Sequence, residues 1–426
     1  QRAISQVPRL LGNLDRNPFS PTYGCFHREY WLEKTSDFPD AVRQFAVHAL
    51  ALVYKHDFPG SPYKGHASIR DWTIAALDFW AQIQHGDGSF DEFYPYERGW
   101  VGPTGFTTYA SSQAFMLLRD EMPAETTQRV ESAIRKAATF IAAGESEEDH
   151  LANHHAMACL AVWEASRMLN DSVLEQGFDR LWQGFLAYRG DDDGWFREYD
   201  GADPGYLSAV VSFLGKISKT RRDPELLAIA EKAAEFCSYF AYPDGFYAGS
   251  MGSRNTTHFY PHGFEVLGPK SVVAMAVAEN MLQALSEGKL VPPEIMSDRY
   301  LVYRVPEFLQ SYLDYTPRSE TIEPLPYQRA PFRKYFSGAR TYAAVNGDRY
   351  VIANLAKGGV LKVFNRLSGR LLLNDCGLIG RLADGRIVTT QWIDDAHECE
   401  ADGDRWKVSG NFNAVPSHKL FTPLKQ

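Results

Sequence analysis

The 426-residue chain carries a formal net charge of -9 and is 45% hydrophobic, enough apolar material for a large core divided over two or three domains. The acidic balance argues against general nucleic-acid binding, which needs a basic face for phosphates, and there is no run of about 18 apolar residues to span a membrane. Cys25, Cys159, Cys237, Cys376 and Cys399 are odd in number, scattered and free of any CxxC pair, which argues against a disulfide framework and favours a cytoplasmic location, with the periplasm as the alternative.

Residues 1 to 40, rich in Pro, Gly and aromatics, read as an ordered lead-in; no secretion leader precedes Gln1, so a mature or truncated product is expected. Helices then follow in series. Phe45, His48, Ala49, Leu52 and Val53 fall at helical spacing in Ala41 to Lys55, as do Trp72, Ala76, Phe79, Trp80 and Ile83 in Ile69 to Gln84. Further helices are predicted for Thr107 to Leu118, Ala124 to Ala142, His150 to Leu169, Ser172 to Tyr188, Tyr206 to Lys219, Pro224 to Phe240 and Lys270 to Glu287. Asp-Gly turns followed by an aromatic punctuate the series at Asp87-Gly88-Ser89-Phe90, Asp193-Gly194-Trp195-Phe196 and Asp244-Gly245-Phe246-Tyr247. The first two lie 106 residues apart and the last two 51, which points to a repeat of helical hairpins of about fifty residues. Loops alternate long and short, as an (α/α) toroid requires if its longer loops gather at one end.

After Glu287 the prolines at 292, 293, 306, 317, 324, 326 and 331 punctuate a stretch with little helical periodicity. From Arg340 the period shortens to two, in RTYAAV, RYVIANLA, VLKVFNR, RIVTTQWI and DRWKVSGNF, separated by Gly-containing turns. The expected layout is an α+β multidomain chain: an (α/α) toroid with its lead-in over 1–290, a Pro-rich linker over 291–335, and an antiparallel β-sandwich over 336–426 with strands still in progress at Gln426.

Three clusters carry candidate chemistry. Asn153-His154-His155 opens a helix, where polar rings and amides can face a cleft; the plainer alternative is that Asn153 caps the helix and the histidines are surface residues. Arg254, Asn255, His258, Tyr260 and His262 crowd into GSRNTTHFYPHGFE, where Pro261 opposes the helical spacing of a zinc pair and substrate handling is the better reading. Tyr206 follows Asp203-Pro204-Gly205 at the end of the loop that starts at Gly190; the plainer alternative is a half-buried aromatic at a helix start. Asp394, Asp395, His397 and Cys399 form a weaker group with metal-ligating side chains.

This layout and these motifs resemble the heparinase II/III-like polysaccharide lyases, with their related alginate lyases and dermatan-sulfate epimerase. Members carry an Asn-His pair on a toroid helix, matched by Asn153 and His154, and a Tyr after an Asp-Gly-aromatic-Glu loop, matched by Tyr206 after Asp193 to Glu198. A further His lies downstream in the family, for which His258 and His262 compete. The opening GCFHREYW is similar to toroid proteins that accompany bacterial surface-polysaccharide genes. The resemblance implies a lyase acting on an acidic, uronate-containing polysaccharide, without metal or cofactor.

The chemistry suits these side chains. β-Elimination at a 4-linked uronate removes the C5 proton, which is too weak an acid unless the adjacent carboxylate is neutralised; Asn153, Arg254 or a protonated His can do this. His154 or His258 fits the base, and Tyr206 the acid that protonates the departing O4, or both roles in a syn geometry. Trp195, Tyr199, Tyr94 and Trp100 are expected to stack on sugar rings, with Glu198, Tyr260 and His262 contacting the substrate beside them. A C5-epimerase shares every step up to the enolate-like intermediate. A toroid glycoside hydrolase, using carboxylates from Asp87, Asp91, Glu92, Asp193 and Glu198, fits the layout as well, and so does a non-catalytic glycan-binding protein.

Overall fold

A computed structural model describes residues 1–96, 99–144, 150–318, 322–402 and 405–416. The lead-in forms two short helices, α1 (Val7–Asn13) and α2 (Arg28–Trp31). The helical series continues with α3 (Ala46–Lys55), α4 (Ala67–Gln82), α5 (Phe106–Leu118), α6 (Ala124–Ala143), α7 (Ala152–Leu169) and α8 (Ser172–Leu186). After a small hairpin of β1 (Arg197–Glu198) and β2 (Gly201–Ala202) come α9 (Pro204–Ser218), α10 (Pro224–Ser238), α11 (His262–Leu267), α12 (Val272–Ser286) and α13 (Asp298–Leu313).

Packing sorts the helices into two sets. α3, α5, α7, α9, α11 and α13 each pack on the next, and α13 returns onto α3, so this set closes a ring. α4, α6, α8, α10 and α12 each lie on the ring helix that precedes them. Composition follows position: α6 buries one stripe, Val130, Ala133, Ile134, Ala137, Ala138 and Ile141, whereas α7 and α9 are buried almost all round. Starts are set by side chains. Asp171, Asp203 and Asp223 each accept backbone N–H bonds from the first turns of α8, α9 and α10, and Pro204 and Pro224 occupy the first helical positions.

Two differences from the sequence expectation concern the Pro-rich stretch. Residues 298–313 are helical, not a linker, because Leu301, Val302, Val305 and Leu309 supply an apolar stripe that Pro306 interrupts without breaking. Strand structure also begins earlier than Arg340, with β3 (Phe332–Phe336). β3, β4 (Thr341–Asn346), β5 (Arg349–Asn354), β6 (Val360–Asn365) and β7 (Arg370–Asp375) form one antiparallel sheet in sequence order. β8 (Ile379–Arg381) and β9 (Ile387–Thr389) share a second sheet with β12 (Asn413–Ala414), and β10 (Glu398–Asp402) pairs with β11 (Arg405–Ser409). Trp406 of β11 packs on Tyr335 and Tyr342 of β3 and β4, at centroid distances of 4.7 and 5.3 Å. Residues 417–426 of the expected β domain lie outside the described residues.

The larger sheet is seated on the end of α10. Phe336 meets Phe236 and Tyr239 edge-on at 4.9 Å, Phe364 stacks on Tyr242, and the Tyr350 hydroxyl donates to the Tyr239 carbonyl at 2.6 Å. No helix among the described residues is long and apolar enough to cross a membrane.

The middle of the ring is filled by Phe45, Phe106, Tyr303, Phe213 and Tyr260, in ring contacts of 4.8 to 6.4 Å. Deeper in the ring, Lys216 of α9 donates to Glu307 of α13, and Ser212 donates to the same carboxylate at 2.9 Å. Burial opposes ionisation of Glu307, yet Lys216 and His262 hold its carboxyl below the ordinary range; burial lowers the Lys216 ammonium. Removing one partner therefore strands a charge. Glu307→Ala should cost about 3–5 kcal/mol in urea unfolding, and Lys216→Met combined with Glu307→Leu should recover most of it; an additive double variant would contradict this.

Candidate active site

One end of the ring collects the first turns of α5, α7 and α9 and the N-terminal half of α13. Phe106 of α5 contacts His154 of α7 at 5.6 Å and Tyr303 of α13 at 5.1 Å. Tyr206 in the first turn of α9 has Tyr300 of α13 among its electrostatic neighbours. The Asp-Gly repeat closes each loop with a backbone bond across the turn, one residue longer at 190–195 than at 85–89 and 242–246. His85 N–H donates to Ser89 O, Gly190 N–H to Trp195 O and Tyr242 N–H to Phe246 O. Gly88, Gly194 and Gly245 all have positive φ, and a Cβ on Gly88 or Gly194 would collide with a carbonyl of the outer helix α6 or α10.

The 190–206 stretch makes its turn, runs through the β1–β2 hairpin and enters α9. Glu198 in that hairpin bridges Leu151, just before α7, and is 2% exposed. Its carboxylate accepts the Asn153 backbone N–H at 3.0 Å and the Asn153 side-chain amide at 2.6 Å. Asn153 is thus not a cap: Leu151 holds that position, and the amide is spent inward on Glu198. Burial pushes the Glu198 carboxyl up to about 8, against the lowering effects of Asn153 and nearby His154.

A second buried carboxylate, Asp203, ties the other half together. One oxygen accepts the Tyr206 N–H at 3.1 Å and the other the Arg254 N–H at 2.9 Å, so Tyr206 and Arg254 are fixed to the same group. Arg254 is exposed and lies over the Tyr199 ring at 4.2 Å; Tyr199 in turn contacts Tyr206 at 6.2 Å. The Tyr206 hydroxyl is raised well above its ordinary pKa by burial first, then by Tyr199, Tyr300, Tyr260 and Glu198. It is a neutral phenol. His258 packs on Tyr300 at 5.0 Å; burial and the Arg304 guanidinium pull its pKa down to about 4, so it is a neutral imidazole.

The structure thus gathers Asn153, His154, Glu198, Tyr199, Tyr206, Arg254 and His258 at one end of the ring, with Tyr260 beneath them under Arg304. Other expected contacts are not built as platforms. Trp195 is 8% exposed and fills space that Gly190 and Gly338 leave open, and Trp100 is 7% exposed, donating to the Ile141 carbonyl with His155 against its face. His262 is fully buried and bonds Asp314 at 2.6 Å, deep in the ring. Glu198 is a buried support, not a surface contact. Tyr94 is 71% exposed on the loop that also carries Phe93, over which Arg299 lies at 4.5 Å. Among the described residues no group of three His, Cys, Asp or Glu side chains is arranged to hold a metal; His397 instead bonds the Ala356 carbonyl. Asp203 and Tyr300 are members of the cluster that sequence spacing does not single out, although the Asp-Pro start of α9 is a legible sign of the first.

Residues 63–263, which include Asn153, His154, Glu198, Asp203, Tyr206, Arg254 and His258 but not Tyr300, match the family model of the ulvan lyase N-terminal domain. No curated protein sequence matches the chain. Among solved structures the chain is similar to Paenibacillus xanthan lyase, at 12% identity and a TM-score of 0.57 over 94% of this chain and 42% of that one. It is also similar to the Streptomyces coelicolor A3 chondroitin AC lyase in complex with chondroitin sulphate, at 11% identity and a TM-score of 0.55 over 85% and 53%. The fold is thus of the polysaccharide-lyase type, a helical region followed by antiparallel sheets, and the chain spans roughly half the length of these relatives.

The Glu198 carboxyl makes stability depend on pH. Its folded-state value of about 8 lies above the ordinary 4.5, so its favourable contribution is complete below about pH 4.5 and is lost as pH rises through about 8. Glu198→Gln removes that proton linkage. The variant should gain stability relative to the parent between those two values and no further above them; a constant difference across the window would contradict the burial argument.

Proposed function

We propose that the chain is the catalytic part of a polysaccharide lyase of the heparinase II/III-like kind, an (α/α) toroid with a β-sandwich, cleaving a uronate-containing polymer by β-elimination. The observation that carries the reading is the shared tether of Tyr206 and Arg254 on Asp203, beside the Asn153–Glu198 pair that borders His154. Ulvan, the polymer named by the matching family model, is the first substrate to test.

In this reading Arg254 takes the uronate carboxylate, since its guanidinium is exposed while its backbone is fixed. Asn153 acts through Glu198 as a positioning residue. His154 is the base: it stands beside Glu198 and against Phe106 at the start of α5, whereas His258 is a weaker base beside Arg304. Tyr206, held neutral, delivers its proton to O4 as the bond to C4 breaks, and the electron pair left at C5 becomes the C4–C5 double bond.

The ring geometry supports an anionic substrate despite the net charge of -9. α5, α7, α9 and α13 begin at this end, so the positive ends of their dipoles point into it.

Tyr206→Phe should lower cleavage of ulvan by about 100-fold or more while leaving binding within about twofold, because only the transferred proton is lost. Arg254→Ala should weaken both. The assay is the ultraviolet absorbance of the unsaturated uronate, run on ulvan, chondroitin sulphate, xanthan, alginate and heparosan. Equal activity of the parent and the Tyr206 variant on any of them would contradict the role of Tyr206, and cleavage without new absorbance would favour hydrolysis.

A further inference from the structure

The loop that presents Arg254 is poorly suited to hold itself. Ala248 and Asn255 both have positive φ, at 51° and 56°, a region disfavoured for residues with a Cβ. Gly252 sits so close to Asp203 that a side chain there would collide with its carboxylate. The brace comes from the β region. Lys357, in the short turn after β5, is buried and directs its ammonium into the loop, donating to Ser250 O at 3.1 Å, Gly252 O at 2.8 Å and Asn255 Oδ1 at 2.5 Å. Asn354 at the end of β5 adds a bond from its amide to Met251 O at 2.7 Å. An ammonium has three donors, and here all three go to the residues flanking Arg254.

We infer that Lys357 is a positioning residue of the cleft, through which the β region sets where Arg254 stands relative to Tyr206. The inference rests on the proposed role of Arg254 in binding the uronate. Lys357 touches no substrate; it fixes the loop on one side while Asp203 fixes it on the other. The β region is then a working part of the cleft, and helices alone would hold Arg254 loosely.

The test combines a mutant cycle with hydrogen exchange on the whole chain. Lys357→Met, Arg254→Ala and the double variant are assayed on ulvan, with amide exchange followed for peptides covering 249–257. Lys357→Met should lower kcat/KM about tenfold, mainly through KM, and the double variant should be no worse than Arg254→Ala alone, because a brace has nothing to position once Arg254 is gone. Exchange should quicken in 249–257 and stay unchanged in α7. Additive losses, or an unchanged kcat/KM, would overturn the inference. If the parent cleaves none of the polymers tested, the functional reading fails on its own, and exchange still decides the brace: unchanged protection of 249–257 overturns it. Should Lys357→Met not fold, Asn255→Gly removes one acceptor at an exposed position whose backbone glycine accepts readily. That variant should show the same shift in KM and exchange at smaller amplitude, and no shift in either would count against Lys357.

Discussion

Taking a carboxyl group out of water is costly unless its oxygens are answered, and the answering groups are thereby fixed in place. Glu198 is such a group, and both ends of Asn153 answer it, its backbone N–H and its side-chain amide. This one contact joins the 190–206 loop to the first turn of α7 and so sets His154 against the loop that leads to Tyr206. Asp203 repeats the device at the start of α9, with backbone donors from that helix and from the Arg254 loop. Two buried carboxyls thus organise a cluster whose side chains come from separate turns of the ring.

The electrostatic consequence is a division of labour. Acidic residues dominate the total charge, yet the carboxyls of Glu198 and Asp203 are buried, bonded and pushed toward their neutral forms, as the proposed anionic substrate requires. Helix starts and Arg254 supply the opposite field locally. The same burial keeps Tyr206 a phenol, the form the proposed proton delivery to O4 needs, and keeps His258 a neutral imidazole.

Much of the ring was legible because its signals are local. Apolar spacing marks α3 to α10 and α12, Asp-Pro pairs mark the starts of α9 and α10, and the Asp-Gly-aromatic turns announce the repeat. α13 was hidden by Pro306 inside a stretch of other prolines, although Leu301, Val302, Val305 and Leu309 keep helical spacing. Asn153, His154, Tyr206 and Arg254 stand at loop and helix starts that the repeat brings together. Trp195 and Trp100 misled for a physical reason: an aromatic beside a turn has the same sequence signature whether it faces a sugar or plugs the space next to a glycine. Lys357 was invisible because nothing local marks a lysine whose partners lie about a hundred positions away.

Hydrogen exchange at the substrate's C5 in deuterium oxide separates the two proton transfers assigned to the cleft most directly. With His154 as base and Tyr206 as acid, Tyr206→Phe should still exchange C5 hydrogen of ulvan for deuterium without cleaving the chain, and His154→Ala should do neither. Loss of exchange in Tyr206→Phe, with exchange retained in His154→Ala, would contradict this assignment and make Tyr206 the base.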